Sequence, residues 1–192
     1  MSLAPEEEAR ANFYALLSRL FFAPPDAALL RALANADELD SEDDTLALRW
    51  RELLAAAGAI DPEAARDEYD LVFVGTGRAP VTPYTSAYSI RYSNEAPLVR
   101  LRSDLAALGL ARRESAGEPE DHIAALCDTM RHLIAAGRDL PEQKAFFESW
   151  ILPSAEPLCT AIEASEHTSF YKVVGRMAKT FFSLEQSSFE ML

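Results

Sequence analysis

Residues that favour the α-helix occupy the chain from end to end, and they restrict its fold more than any other feature. Ala and Leu together account for 58 of the 192 residues, whereas Val and Ile account for 12 and Gly for 7. Ala and Leu lose little side-chain freedom in a helix, while β-branched residues favour strands. Apolar residues recur at helical spacing, and no stretch shows the alternation of a strand. We therefore predict an all-α protein, a helical bundle of about eight to ten helices.

Local signals indicate how the helices are divided. Helix starts are indicated at Asp26 and at Asp61-Pro62, where an acidic cap precedes good helix formers. The polar segment 111–118, ARRESAGE, is typical of a hinge. It separates a predicted N-terminal helical part, 1–110, from a C-terminal helical part, 119–192, and leaves open whether the two pack as one domain. Residues 75–94 are rich in Gly, Pro, Thr, Ser and Tyr, which predicts a long loop of the kind that often carries function.

The chain is strongly acidic, and its charge excludes several classes of partner. Asp and Glu number 31 against 18 Lys and Arg, a formal net charge of −13. A nucleic-acid surface needs basic residues that replace phosphate counterions, so we expect no nucleic-acid partner. No apolar run approaches the roughly 18 residues of a membrane span, so we expect no stable membrane insertion. The N-terminus lacks the basic and apolar regions of a secretory signal, which favours a cytoplasmic protein.

Motifs for catalysis, metal binding or phosphate binding are not recognisable in the sequence. The string GTGR lacks the spacing and the βαβ context of a phosphate loop. His122, His132 and His167 show no metal-ligand spacing, and Cys127 and Cys159 do not make a disulfide framework. We therefore predict no catalytic residues, no metal site and no cofactor.

Carboxylates and an imidazole are crowded in the string EPEDH at 118–122. On a helix opened by Pro119, the side chains of Glu118, Asp121 and His122 would lie on one face. Such a cluster can bind the guanidinium of an arginine, since a carboxylate accepts two hydrogen bonds from its planar fork. The residues alone leave open a second interpretation, a helix-capping turn with a solvated histidine.

Tyrosines recur every four residues in the long loop, at Tyr84, Tyr88 and Tyr92, and Pro83 directly precedes the first. Aromatic and proline side chains commonly line grooves that bind an apolar peptide. The alternative is that these rings pack the loop onto the helices, and the pattern by itself does not distinguish the two.

Five stretches of the chain, taken in order and with their spacing, resemble the TorD/DmsD-type chaperones, a family that serves the maturation of redox enzymes. They are Tyr14–Phe21 with Pro24-Pro25, the string EYDLVFVGTGRAPVTPYTSAY at 68–88, the string EPEDH at 118–122, the stretch Phe146–Pro153, and Phe170-Tyr171 before the last helix. Together they span nearly the whole chain.

The resemblance implies an all-helical, cytoplasmic chaperone that is not an enzyme. Members of the family bind the twin-arginine signal peptide of a molybdenum-cofactor oxidoreductase and hold back its precursor until the cofactor is inserted. Some members form domain-swapped oligomers, so a monomer or a domain-swapped dimer is expected. The residues that the resemblance assigns to the peptide-binding surface are Tyr69, Phe73, Pro83 and Tyr84, with Glu118, Asp121 and His122 at its rim.

The physical properties of the sequence agree with this function, although two other classes of protein remain alternatives. A signal peptide with two arginines beside an apolar segment needs a receptor with carboxylates beside an aromatic groove, and an acidic receptor speeds the encounter. One alternative is a small all-helical enzyme that uses Asp121 and His122 as an acid/base pair. The other is a structural assembly subunit that stays in its complex. The sequence does not indicate which molybdoenzyme is the client.

Overall fold

A computed structural model describes residues 3–39, 43–75, 79–89, 97–111 and 117–192. These residues form ten α-helical segments, and none of them lies in a strand. A π-helical turn joins two of the segments, α8 and α9, so the number of continuous helices is nine. The all-α prediction is therefore confirmed. The α-helices are α1 (Pro5–Phe22), α2 (Ala27–Ala34), α3 (Asp44–Ala59), α4 (Pro62–Tyr69), α5 (Ser86–Ser89), α6 (Pro97–Ala107), α7 (Ile123–Ala135), α8 (Leu140–Phe146), α9 (Leu152–Ala164) and α10 (Phe170–Glu190).

Two π-helical turns extend these helices. Asp70–Val74 continues α4, and Phe147–Ile151 joins α8 to α9. Turns of this kind insert one extra residue into the hydrogen-bond pattern and are frequent at functional sites. The first of them carries part of the aromatic string that supports the family resemblance.

Acidic caps fix several helix starts in the way that the sequence predicts. The Asp26 carboxylate accepts a hydrogen bond from Leu29 N at 2.7 Å, at the start of α2. The Asp61 carboxylate accepts from Glu63 N and Ala64 N, both at 2.9 Å, and Pro62 supplies the first residue of α4. Each cap satisfies backbone donors that a helix start leaves unpaired.

The chain divides into two compact units, and each is assembled from separate stretches. The first unit comprises Met1–Ser18 and Pro83–Ser154, and the second comprises Arg19–Thr82 and Ala155–Leu192. Both flanks of the predicted hinge at 111–118 belong to the first unit, while residues 112–116 lie outside the described residues. The hinge therefore stays a prediction.

In the first unit, α7 packs against α8 and against the π-helical turn that follows α8. The Trp150 indole N–H in that turn donates to the Asp104 carboxylate of α6 at 3.0 Å. The guanidinium of Arg100, also on α6, lies 5.6 Å from the centre of the Trp150 ring. The apolar side of α7 is fully covered: Ile123, Leu126, Cys127, Met130, Leu133 and Ile134.

In the second unit, the long helix α10 packs against α3 and α4, and α2 packs against α3. Gly175 allows the close approach of α9 to α10, since a Cβ there would lie 3.1 Å from the Ile162 side chain. The buried aromatic residues of α10 are Phe170, Tyr171, Phe181, Phe182 and Phe189. Within the described part of the chain, no helix combines the length and the apolar character needed to cross a membrane.

Candidate functional site

Backbone hydrogen bonds join the two strings PYTS and EPEDH within the first unit. Ile123 N donates to the Pro83 carbonyl at 2.8 Å, and Thr85 N donates to the Asp121 carbonyl at 2.9 Å. Between these bonds, Tyr84 and His122 form an isolated antiparallel bridge. The two strings that carried most of the binding prediction are therefore held side by side, through main-chain groups that do not depend on their side chains.

This pairing displaces the predicted helix start. The helix expected to open at Pro119 begins at Ile123, with His122 as its cap, so Glu118, Asp121 and His122 do not share a helical face. The prediction was wrong because the Asp121 carbonyl accepts from Thr85 N instead of from a helical N–H four residues later. The first helical acceptor is the His122 carbonyl, which receives Leu126 N at 3.1 Å. The hydrogen bond from Thr85, more than 30 residues earlier in the chain, thus determines where α7 begins.

His122 is a buried capping residue. Only 4% of its surface is exposed, and its Nδ1 accepts from Ala124 N at 3.1 Å. Burial lowers the pKa of His122 below its ordinary value of 6.5, and the charges of Glu118 and Asp121 oppose that shift only in part. The ring is therefore neutral at pH 7, because protonation of Nδ1 would remove the acceptor that caps α7.

An aromatic ring and an exposed carboxylate meet beside this histidine. The Tyr84 ring stands edge-on to the His122 ring, with 5.3 Å between ring centres and an angle of 88°. The Tyr84 hydroxyl donates a hydrogen bond to the Glu118 carboxylate. Tyr84 is half-buried and Glu118 is exposed. We call Tyr84 and Glu118, with Asp121 and His122 behind them, the tyrosine–acid surface.

The acids of the EPEDH string differ in their surroundings. Asp121 is buried, and its carboxylate accepts from Ser86 N at 3.4 Å, at the start of the short helix α5. Glu120 receives the guanidinium of Arg102, with Nε at 2.9 Å from one oxygen and Nη2 at 3.1 Å from the other. Glu118 is therefore the exposed acid of the string, whereas Asp121 holds the backbone of α5. No sequence pattern pointed to Arg102, since it lies on α6, 18 positions before its partner in the chain.

Tyr69 and Phe73, the other predicted binding residues, lie in the second unit and are buried. They keep 9% and 7% of their surface exposed. Their rings are 5.1 Å apart, and the Phe73 ring stands edge-on to Tyr171 of α10 at 5.2 Å. The Tyr69 hydroxyl donates to the carbonyls of Phe21 and Phe22 at the end of α1, at 3.2 and 2.9 Å. The structure thus brings these two residues together in an aromatic cluster, while Pro83, Tyr84 and the EPEDH string meet in the first unit.

Glu68, directly before Tyr69, is a structural residue that the sequence analysis did not identify. Its carboxylate accepts hydrogen bonds from Ser169 N at 3.0 Å, Phe170 N at 2.9 Å and Tyr171 N at 3.3 Å, at the start of α10. The hydroxyls of Thr168 and Ser169 also donate to it. A single side chain of α4 therefore caps a helix some 100 residues later, and no local spacing could reveal such a pair.

Tyr92 and residues 76–78, part of the loop that the sequence singled out, lie outside the described residues. Within the described ranges, no group of three or more His, Cys, Asp or Glu is arranged to hold a metal ion. Cys127 and Cys159 are both buried, in separate units.

Known proteins with similar sequences and folds cover nearly the whole chain. The chaperone protein TorD of Vibrio cholerae serotype O1, strain M66-2, is 28% identical over an alignment that covers 96% of this chain and 94% of TorD. The TorD of the Classical Ogawa 395 strain is 26% identical with the same coverage. The crystal structure of a redox enzyme maturation protein from Archaeoglobus fulgidus has the same fold, with a TM-score of 0.61, 21% identity, and coverage of 91% of this chain and 93% of that one.

The fold and these relatives define the class of protein, an all-helical chaperone of the TorD type and not an enzyme. Residues 36–160, well over half of the chain, match the model of a family described as the nitrate reductase delta subunit. The chain belongs to this family. The resemblance to TorD/DmsD-type chaperones, inferred from five stretches of sequence, is confirmed.

Proposed function

We propose that this chaperone works in the cytoplasm, where it binds the twin-arginine signal peptide of a molybdenum-cofactor oxidoreductase and holds the precursor until its cofactor is inserted. The arginines of the peptide bind at the tyrosine–acid surface of the first unit. The relatives named TorD and the redox enzyme maturation protein support the chaperone role. The geometry of the first unit supports the place of binding.

The observation that carries this assignment is an exposed carboxylate that accepts a hydrogen bond from the hydroxyl of a half-buried tyrosine. Glu118 lies at the Tyr84 hydroxyl, and the Tyr84 ring is held by the buried ring of His122. A guanidinium can form two hydrogen bonds with a carboxylate while it stacks on an aromatic face. Because backbone bonds fix both strings, the two groups are in position before the peptide arrives.

The overall charge favours the same partner. With a net charge of −13, the chain attracts a cationic segment over a distance before contact. Such attraction raises the association rate more than it raises the final affinity. The apolar segment of the signal peptide must supply the part of the affinity that salt does not weaken.

The resemblance also assigns Pro83, Tyr69 and Phe73 to the peptide-binding surface. In this proposal they position other residues and do not contact the arginines of the peptide. Pro83 is buried, and its carbonyl accepts a hydrogen bond from Ile123 N, which fixes the backbone beside Tyr84. Tyr69 and Phe73 build the aromatic cluster that ties the ends of α1 and α10 together in the second unit.

A peptide titration tests the proposal. The probe is a fluorescein-labelled synthetic peptide with an Arg-Arg pair followed by an apolar segment, and its binding is followed by fluorescence anisotropy. Truncation of an interface anchor typically costs about 2 kcal/mol or more, so Tyr84→Ala should weaken binding at least about tenfold. Phe22→Ala, which truncates an exposed aromatic ring of the second unit, is the matched control and should bind like the wild type.

Two results would contradict the proposal. The first is equal affinity of wild type and Tyr84→Ala, with the same helical circular dichroism. The second is equal binding of a peptide in which both arginines are replaced by glutamine. Light scattering of the free protein and of the complex reports whether the binding species is a monomer or a dimer, as a domain swap requires.

The description of the family favours a second candidate function. It names a subunit of nitrate reductase, which corresponds to an assembly subunit that remains in its complex. Purification of the molybdoenzyme from cells that express a tagged form of this chain distinguishes the two. A chaperone is recovered with the cofactor-free precursor and absent from the mature enzyme, whereas a retained subunit is recovered with the cofactor-loaded enzyme in fixed stoichiometry.

A further inference from the structure

An arginine of the chain itself already lies on one carboxylate of the EPEDH string. Arg102 of α6 contacts both oxygens of Glu120, at 2.9 and 3.1 Å, in the geometry with which a guanidinium binds a carboxylate. Both residues belong to the first unit, and Glu120 stands between Pro119 and Asp121 in the turn that is bound to residues 83–85.

The two partners of this pair are unequally exposed. The Arg102 side chain keeps 53% of its surface exposed, whereas the Glu120 side chain keeps 9%. Arg102 can therefore leave with little change in its own solvation, since exposed ion pairs contribute little to stability. A nearly covered carboxylate is costly to leave without a cation. The exchange of one guanidinium for another is thus easier than the opening of the pair.

We propose that Arg102 is an internal competitor that holds Glu120 until an arginine of the client peptide displaces it. This inference rests on the proposed function, because it concerns the same EPEDH string and the same peptide. Glu118 is exposed and precedes Glu120 by two positions in the chain. In this proposal, one arginine of the pair binds at Glu118 and the other competes for Glu120. The charge of Asp121 also acts on Arg102, which places a third acid within electrostatic reach of the exchange.

The competitor makes the site selective for arginine over lysine. To bind Glu120, a side chain of the peptide must replace the two hydrogen bonds that the planar guanidinium of Arg102 donates to it. Arginine offers the same planar fork, whereas the lysine ammonium is a point charge that cannot reproduce it. Removal of Arg102 should therefore improve the binding of an Arg-Arg peptide and improve the binding of a Lys-Lys peptide still more.

The test compares three variants with the labelled Arg-Arg and Lys-Lys peptides. Arg102→Gln should bind the Arg-Arg peptide about three- to fivefold more tightly than the wild type, the upper part of the range expected for loss of an exposed pair. Arg102→Lys keeps the charge but lacks the planar guanidinium, so its affinity for the Arg-Arg peptide should lie between those of the wild type and Arg102→Gln. Arg131→Gln is the matched control, because it removes the same charge and breaks an exposed pair with Asp128 on α7. It should change the affinity less than about twofold.

Background variants separate a direct exchange from a general effect of charge. On a Glu120→Gln background, Arg102→Gln should give no further gain, since the carboxylate for which it competes is gone. The inference is overturned if the wild type binds the peptide but Arg102→Gln binds no better than Arg131→Gln. Absence of saturable binding by the wild type and Arg102→Gln alike overturns the proposed function together with the inference.

A direct measurement covers the case in which Arg102→Gln does not fold. In the ¹⁵N NMR spectrum of the wild type, the Nε–Hε signal of Arg102, assigned from its loss in Arg102→Lys, should move towards the position of a free arginine when the Arg-Arg peptide is added. A signal that stays in place at saturation shows that Arg102 remains on Glu120, and it contradicts the exchange.

Discussion

Replacement of Glu68 by glutamine tests how the second unit holds its last helix. The Glu68 carboxylate accepts three backbone N–H groups and two hydroxyls at the start of α10. Glutamine keeps the shape of the side chain, but it presents an NH₂ group in place of one oxygen and has no charge. Donors at the start of α10 then face another donor, and the favourable interaction of a negative charge with the helix N-terminus is lost.

The expected loss of stability follows from these contacts. A helix cap is worth about 0.5–2 kcal/mol, and a charge at a helix N-terminus about 0.3–1 kcal/mol. We therefore expect Glu68→Gln to lower the free energy of unfolding by about 1–3 kcal/mol at pH 7. Glu166→Gln, which removes the same charge from an exposed residue near the same helix start, should change it by less than about 0.5 kcal/mol.

The pH dependence identifies the carboxylate as the cause. Burial acts to raise the pKa of Glu68, but the hydrogen bonds from Thr168, Ser169 and Tyr171 outweigh it and hold that pKa below its ordinary value of 4.5. A lowered pKa in the folded state stabilises the fold above pH 4.5, and this contribution is lost as the pH falls through the folded value. The difference between wild type and Glu68→Gln should therefore be constant near neutral pH and shrink in acid.

Urea unfolding followed by circular dichroism at 222 nm, the usual helix signal, measures both quantities across a pH series. The reasoning is refuted if Glu68→Gln and Glu166→Gln unfold at the same urea concentration at pH 7. It is also refuted if the difference between wild type and Glu68→Gln persists unchanged in acid, because the loss would then come from packing and not from the charge.

Further predictions concern buried titratable groups. The pKa of His122 in the folded state lies below 6.5, so the wild type should lose stability as the pH falls below that value. His122→Asn, which keeps an acceptor for Ala124 N, should not show this loss of stability. His132 is exposed, and His132→Asn should show the same loss as the wild type. Burial raises the pKa of Cys159 to about 12, and Cys127 is fully buried. Iodoacetamide should therefore modify neither thiol at pH 7.5 until urea unfolds the chain, as mass spectrometry would show. Serine at both cysteine positions should leave peptide affinity unchanged; modification of the folded protein or a weaker complex would contradict this.

Features that depend on neighbours in sequence were predictable. The helical class follows from composition and spacing, and the caps at Asp26 and Asp61 follow from a side chain that binds N–H groups two or three residues later. The burial of Cys127 in the apolar side of α7 follows from the same periodicity. In each case the energy that decides the structure lies within one or two helical turns.

Features that depend on a distant partner were not predictable. The EPEDH string has the residues typical of a helix start. Its Asp121 carbonyl, however, is hydrogen-bonded to Thr85 N, and the helix begins only at Ile123. Arg102 and Glu68 have partners on other elements, so neither shows a recognisable pattern. The resemblance named Tyr69 and Phe73, yet only the structure shows that both are buried in a cluster with Tyr171.

The salt dependence of peptide binding tests the central claim, that an arginine pair is received by the exposed acid of the tyrosine–acid surface. The Debye length falls from about 10 Å at 0.1 M salt to about 3 Å at 1 M. Wild-type affinity for the Arg-Arg peptide should therefore fall by roughly tenfold over this range and then level off, as apolar contacts resist salt. Glu118→Gln should bind more weakly at low salt and show a flatter dependence, while Glu148→Gln, an exposed acid of the same unit, should behave like the wild type. Normal affinity of Glu118→Gln with an unaltered salt slope would contradict the account.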